Sequence, residues 1–332
     1  MKKSALVSIV LALSLAVVAG CASQGGGSSA PASSDKGDKG GSAGQKPKVQ
    51  VVLKTLSSPY WKYVEAGAKK AFQDLNVDGT VTGPASESQI LEQVNMLEDA
   101  LNKKPDALVV APTQPSTAIP VLKKYKDKNI PVLLVDTDTA DWADKTSFIG
   151  TDNATAGKKG GEYLASLLKS GDKVALIAGA LGNPATDERI KGAKEALEAK
   201  GMKIAANQPA DSDKAKAMSV MENILQNNPD LKGVFAANDD MALGALRAAE
   251  AKGLKIPILS TDGTVESIES ILADKLGGTV AQNPYEMGYK GVENAVKAIK
   301  GEKVEKRIDS GVEIINKENA QKKLDFLKSL TK

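Results

Sequence analysis

An α/β protein made of two similar lobes, each built on a parallel sheet, is predicted by three observations. Strand-length apolar runs are spaced along the chain, stretches with helical spacing lie between them, and the pattern repeats about 125 residues on. The runs are Val49–Leu53, Ala107–Ala111, Pro131–Val135, Val174–Ala178, Val234–Ala237 and Pro257–Ser260, each bounded by Pro, Gly, Asp or Asn. A strand apolar on both faces belongs in a sheet covered by helices on both sides. Ile90, Leu91, Val94, Leu97 and Leu101 illustrate the helical spacing between runs.

The repeat has three parts in order. Pro59 and Gly67-Ala-Lys-Lys-Ala-Phe72 recur, 125 residues on, as Pro184 and Gly192-Ala-Lys-Glu-Ala-Leu197. Leu97–Asp106 recurs at an offset of 124 as Met221–Asp230, and Ile130–Asp136 at an offset of 126 as Ile256–Asp262. A period this long indicates a duplicated βαβαβ unit, not a solenoid.

Two such lobes form a cleft, and open parallel sheets bind ligands beyond the carboxyl ends of their strands. The segments there are Ser57–Trp61, Thr113 and Gln114, Asp136–Asp138, Asn183–Arg189, Asn238–Asp240, and Asp262. Asp136, Asp262, Asn238, Arg189 and Lys54, with Tyr60 and Trp61, suit a sugar. Carboxylates and amides accept from adjacent hydroxyls, cations donate to ring and hydroxyl oxygens, and aromatic faces cover C–H faces. An amino acid, held through a cation and a carboxylate, is left open by the same residues. Lys54 follows an apolar strand, where an unpaired ammonium is costly, so it needs a partner such as Asp136. Adjacent helical residues do not share a face, so at least one of Tyr60 and Trp61 should face the cleft. Asp239 and Asp240 suit equally a role in capping the next helix.

Composition narrows the chemistry. The chain has no histidine and one cysteine, which removes the commonest general base and any Cys/His zinc site. Neither a G-x-G-x-x-G nor a G-x-S-x-G elbow follows a strand, and no phosphate loop occurs. No cofactor is expected and no enzyme; a glycosidase dyad of Asp136 and Asp262 is the enzymatic alternative. Without Lys2 and Lys3 the 44 basic residues fall to 42 against 41 acidic, so nothing draws the chain to nucleic acid.

The first residues carry an address. Lys2 and Lys3 precede an apolar run, Ala5–Ala19, and then Gly20-Cys21, as in a secretory signal peptide over residues 1–20. The small residues before Cys21 resemble the lipobox of bacterial lipoproteins, which implies cleavage before Cys21 and lipidation of its thiol. Residues 21–46 are rich in Gly, Ser, Ala, Asp and Lys, a composition that favours a flexible tether. The expected protein is exported and held to the extracytoplasmic face of the membrane by its lipid alone.

Val51-Val-Leu-Lys-Thr-Leu-Ser-Ser-Pro-Tyr-Trp61, Pro209-Ala-Asp211, Ala237-Asn-Asp-Asp-Met-Ala-Leu-Gly-Ala-Leu246, Thr261-Asp-Gly-Thr264 and Ala281-Gln-Asn-Pro284 stand in this order. Together they resemble periplasmic sugar-binding proteins of the ribose-binding type, and the stretch from Lys54 to Trp61 looks most like the D-allose-binding branch. The resemblance covers Pro47 to Ile315. It implies two Rossmann-like lobes of the type I periplasmic binding protein class, joined by three crossover segments near Thr151–Asn153, Gln282–Asn283 and Gly311–Val312. The lobes are then residues 47–151 with 283–311, and 152–282 with 312–332, with Asp152, Asn153, Asn283 and Gly311 at the hinge. Carried over by motif, the ligand contacts are Lys54, Ser58, Tyr60, Trp61, Asp136, Arg189, Asn238, Asp262 and Gln282. Thr137, also expected to touch the ligand, replaces the arginine that ribose binders carry after the first aspartate, and Ser212 replaces an aromatic; both changes open the pocket toward a hexose such as D-allose, or a related polyol. The resemblance also implies a monomer that delivers sugar to an ABC permease and its ATPase. A sensor presenting sugar to a chemoreceptor or histidine kinase is the alternative; a sugar-responsive transcription regulator would need a helix-turn-helix where the signal and tether stand.

Overall fold

The computed structural model describes residues 46–330. The expected signal peptide, Cys21 and all of the tether but Lys46 lie outside the described residues. The chain opens with β1 (Lys48–Val52), α1 (Pro59–Asp74), β2 (Asp78–Thr82), α2 (Ile90–Asn102), β3 (Ala107–Val110), α3 (Pro115–Asp127), β4 (Val132–Val135) and β5 (Ser147–Gly150). It continues through α4 (Asn153–Ser166), β6 (Lys173–Ala178), α5 (Pro184–Ala199), β7 (Lys203–Pro209), α6 (Lys214–Asn227) and β8 (Leu231–Ala236). Then come α7 (Asp239–Ala251), β9 (Ile258–Asp262), α8 (Val265–Leu272) and β10 (Gly278–Ala281). The last elements are α9 (Pro284–Ile299), β11 (Arg307–Asp309), β12 (Glu313–Ile315) and α10 (Ala320–Ser329).

These strands form two six-stranded sheets, ordered β11-β5-β4-β3-β1-β2 and β12-β10-β9-β8-β6-β7. The order is the same in both, as a duplication requires. All pairings are parallel except β10 with β12. The chain crosses between sheets between β5 and α4, between β10 and α9, and between β11 and β12. The six apolar runs supply six of the eight inner strands; the other two, β5 and β10, are short buried strands that the sequence reading did not mark. In the first lobe Val51, Val109, Leu133 and Val135 pack on one face of the sheet, and Val52, Leu108, Val110 and Leu134 on the other. Burying each such side chain stabilises by roughly 1.5–3 kcal/mol. The sequence reading passed over β2 and β7 because they are edge strands, part-exposed and mixed in polarity, with no apolar run to mark them.

The helix after the fifth strand of each lobe packs on the opposite lobe. α4 lies against α5, and α9 against α1, both at backbone contact. A Cβ on Gly67 or Gly288 would collide with the α9 or α1 backbone, and one on Gly157 or Gly192 with that of α5 or α4. Gly67 and Gly192 are the repeated glycines, so the repeat marks the tightest helix contact in each lobe. Among the described residues no helix is long and apolar enough to cross a membrane.

Candidate ligand-binding cleft

The carboxyl ends of both sheets meet around one cavity of about 320 Å³, its mouth included. The first lobe contributes Lys54, just after β1, Ser58 at the N-cap of α1, Tyr60 and Trp61 in its first turn, Glu87 after β2, and Asp136 after β4. Opposite stand Ala185, Thr186 and Arg189 on α5, Ser212 after β7, Asn238 after β8 and Asp262 at the end of β9. Pro59 at the start of α1 and Pro184 at the start of α5 fix helix entries that need no N–H there.

The two repeated aspartates occupy equivalent, unusual backbone positions. Asp136 has φ 63° and Asp262 φ 142°, regions that favour glycine. Strain of this kind persists where the surroundings hold a side chain in one place. Around Asp136, Lys54 Nζ lies 3.0 Å from Oδ1, Thr137 donates to the same oxygen at 2.8 Å, and the Tyr60 hydroxyl donates to Oδ2 at 2.9 Å. The partner expected of Lys54 is therefore present, and the pair is buried on both sides. Around Asp262, Gln282 Nε2 donates to Oδ1 at 2.8 Å and Arg189 Nη1 lies 3.3 Å from it. Arg189 is itself anchored: Nε donates to Asn153 Oδ1 at 2.8 Å and Nη1 to the Ala237 carbonyl at 3.1 Å.

Burial works on both carboxyls, with opposite outcomes. At Asp136 burial would raise the pKa, but Lys54 and then Arg189 outweigh it and hold the carboxyl below its ordinary value. At Asp262 burial prevails over Arg189, and the nearby Asp239 adds to it, so the carboxyl sits well above its ordinary value. Burial, with Asp136 next, likewise raises the Tyr60 hydroxyl.

Tyr60 and Trp61 form an edge-to-face pair, centroids 5.1 Å apart at 86°. Both line the cavity, whereas adjacent helical positions had suggested that only one need do so. The reason is that α1 meets the cleft end-on, so its first turn presents residues from different sides of the axis. Thr137 and Gln282, expected as ligand contacts, do not line the cavity; each stands behind an aspartate and hydrogen-bonds it. Asn238 lines the cavity and also caps α7, accepting from Met241 N at 2.9 Å, so the cap falls one residue before Asp239. Asp239 instead accepts from Ser260, Thr264 and Thr279, tying β9, β10 and the start of α8 to α7.

Glu87 is the wall residue that sequence reasoning missed. Trp61 Nε1–H donates to its Oε1 at 2.7 Å. Burial raises the Glu87 carboxyl, with Lys54 and the Trp61 hydrogen bond opposing. Its only sequence signal is its place after β2, and β2 has no apolar run.

The lobes touch across the cleft. Ser58 Oγ donates to Asp240 Oδ2 at 2.7 Å, and Asn183 Nδ2 donates to the Thr113 carbonyl at 2.7 Å. Tyr63, on α1, packs into the apolar cluster of the second lobe. This is a closed cleft. At the crossings, Asp152 caps α4 by accepting from Thr155 N, Asn283 Nδ2 donates to the Ser310 carbonyl at 2.6 Å, and Gly311 has φ 70°. Among the described residues no group of three or more His, Cys, Asp or Glu is placed to hold a metal ion.

The arrangement can grip a small polyhydroxylated molecule from both sides while the aromatic pair covers an apolar face. The same architecture recurs in known proteins. A periplasmic binding protein domain matches residues 49–303. The ribose import binding protein RbsB of Haemophilus influenzae is 33% identical over 275 residues, covering 83% of this chain and 93% of that protein. The D-allose-binding periplasmic protein of Escherichia coli is 35% identical over 264 residues, covering 76% and 85%. A crystal structure of an ABC transporter periplasmic solute binding protein from Actinobacillus succinogenes, with bound D-allose, superposes with TM-score 0.78 at 29% identity, covering 83% of this chain and all of that one. Fold, cleft and sequence thus agree: the chain belongs to the periplasmic binding protein family.

Proposed function

We propose that the cleft captures a monosaccharide of hexose size and that the closed, loaded form hands it to the permease of an ABC importer. The observation that carries this reading is the paired arrangement of Asp136 with Lys54 and Asp262 with Arg189, one pair in each lobe, beside the Tyr60–Trp61 pair. Asp136, Asp262 and Asn238 accept and donate to ring hydroxyls, Lys54 and Arg189 donate to oxygens, and Tyr60 and Trp61 cover C–H faces. Ser58 closes over the ligand, while Thr137 and Gln282 orient the two aspartates. Asp152, Asn153, Asn283 and Gly311 act at the hinge. D-allose leads the candidates. The names of the ribose- and allose-binding relatives support a sugar, and Thr137 and Ser212, in place of larger groups, favour one bulkier than ribose.

We further propose that the chain is exported, cut before Cys21, acylated there, and works as a tethered monomer on the extracytoplasmic face. Residues 21–46 then give the binding domain its reach to the permease. Labelled palmitate should enter the wild-type protein and not Cys21→Ala, which should be released from the membrane; equal labelling of both overturns the anchor.

A thermal-shift panel of D-allose, ribose, galactose, xylose, fructose and myo-inositol tests the sugar. A ligand at about 100 times its Kd adds about 2.7 kcal/mol of stability. The largest shift is expected with D-allose, and a panel with no shift overturns the sugar reading.

A further inference from the structure

The cavity wall carries two basic side chains, Lys54 and Arg189, against three carboxyl groups, Glu87, Asp136 and Asp262. Each cation already holds an aspartate, Lys54 at 3.0 Å and Arg189 at 3.3 Å. Glu87 has no ion-pair partner among the described residues. Burial raises its carboxyl, while Lys54 and the hydrogen bond that Oε1 accepts from Trp61 Nε1 oppose this; its Oε2 has no hydrogen-bond partner among the described residues.

We propose that Glu87 is a specificity determinant that restricts the cleft to uncharged sugars, rejecting sugar acids and sugar phosphates. The proposal rests on the reading of the cleft as a sugar site and deepens it. A neutral sugar can place a hydroxyl on the spare Oε2 and gain a charge-assisted bond. An anionic sugar finds no unpaired cation in the wall and meets this carboxylate at short range, in a site from which closure expels water and its screening. Mismatched like charges of this kind weaken binding on the order of a hundredfold or more. Trp61 fixes where the charge stands, so the aromatic platform and the charge filter are one unit.

The test is calorimetry on the mature protein with the neutral sugar that shifts its melting most, the phosphate ester of that sugar and, for a hexose, its uronic acid. Wild type should prefer the neutral form by about a hundredfold or more. Glu87→Gln should narrow that ratio at least tenfold, and Glu87→Asp, which keeps the charge, should retain most of it. A ratio that Glu87→Gln leaves at the wild-type value overturns the role of Glu87 while leaving the sugar reading standing. If Glu87→Gln does not fold, wild type alone decides, because an anion bound as tightly as its neutral parent overturns the proposal. If no neutral sugar binds, the sugar reading fails and the proposal falls with it.

Discussion

Asp136 carries the heaviest duty of any single side chain in the cleft. It balances Lys54, accepts from Tyr60 and Thr137, and occupies a strained φ. Replacing it with alanine leaves a buried ammonium and two buried hydroxyls without this acceptor, and the lost ligand contacts add to that. Sugar affinity should fall by several kcal/mol, each stranded group costing about 1–3 kcal/mol; an unchanged calorimetric Kd would sink the assignment. Asp136→Asn isolates the charge. Removing one partner of a buried pair costs about 3–5 kcal/mol, measurable by urea unfolding at pH 7. The pH dependence has a definite sign. Because the folded carboxyl lies below its ordinary value of 3.8, its stabilisation is present above that value and is lost as pH falls through the lower folded value. The gap between wild type and Asp136→Asn should therefore close in that acid window and stay constant above about pH 5.

Among the elements, α1 with α9 and α4 with α5 show how the repeat is used. Gly67 faces the backbone of α9, and Gly192 that of α4. The duplicated Gly-Ala-Lys motif was visible before any coordinates, but its partner helices were not, because they come from the far side of each crossover. Gly288→Val should drive α9 off α1 and destabilise by at least the 1–3 kcal/mol typical of overpacking, about as much as a lost core methylene or more. Differential scanning calorimetry reads this, and a melting temperature matching wild type would contradict the close contact. The edge strands teach the converse. β2 and β7 lie at matching edges of the two sheets, and the loops that follow them deliver Glu87 and Ser212 to the cavity. A search keyed to buried strands passes over such loops, so Glu87 escaped notice and Ser212 was singled out only by family resemblance.

At the scale of the molecule, closure is held in part by direct contacts between the lobes. Ser58 with Asp240 and Asn183 with Thr113 bridge the cleft directly. Burial raises the Asp240 carboxyl, and the Ser58 hydrogen bond opposes this. Ser58→Ala removes the hydrogen bond to Oδ2 in the closed form only, leaving Lys214 Nζ 3.8 Å from Oδ1, at a cost of about 1–3 kcal/mol. The ligand-free ensemble should shift toward open shapes, seen as a larger radius of gyration by X-ray scattering, and saturating sugar should restore compactness. Identical scattering profiles of both proteins without sugar would remove Ser58 from the closure balance.

The linear chain was enough to specify the lobes. Apolar runs that must be buried on both faces, and a repeat of about 125 residues, leave little choice but two covered parallel sheets. It was also enough to pair Lys54 with Asp136, since a buried ammonium demands a counter-charge wherever the fold puts it. Three-dimensional packing was needed for the rest. Whether a polar residue touches the cavity or stands one layer behind it depends on the direction of its side chain and on which neighbour claims its hydrogen bonds. That is why Thr137 and Gln282 retreat behind the aspartates while Glu87, Ala185 and Thr186 take places in the wall. Local sequence encodes burial and periodicity; the contents of a cleft are set by the meeting of chain segments far apart in sequence.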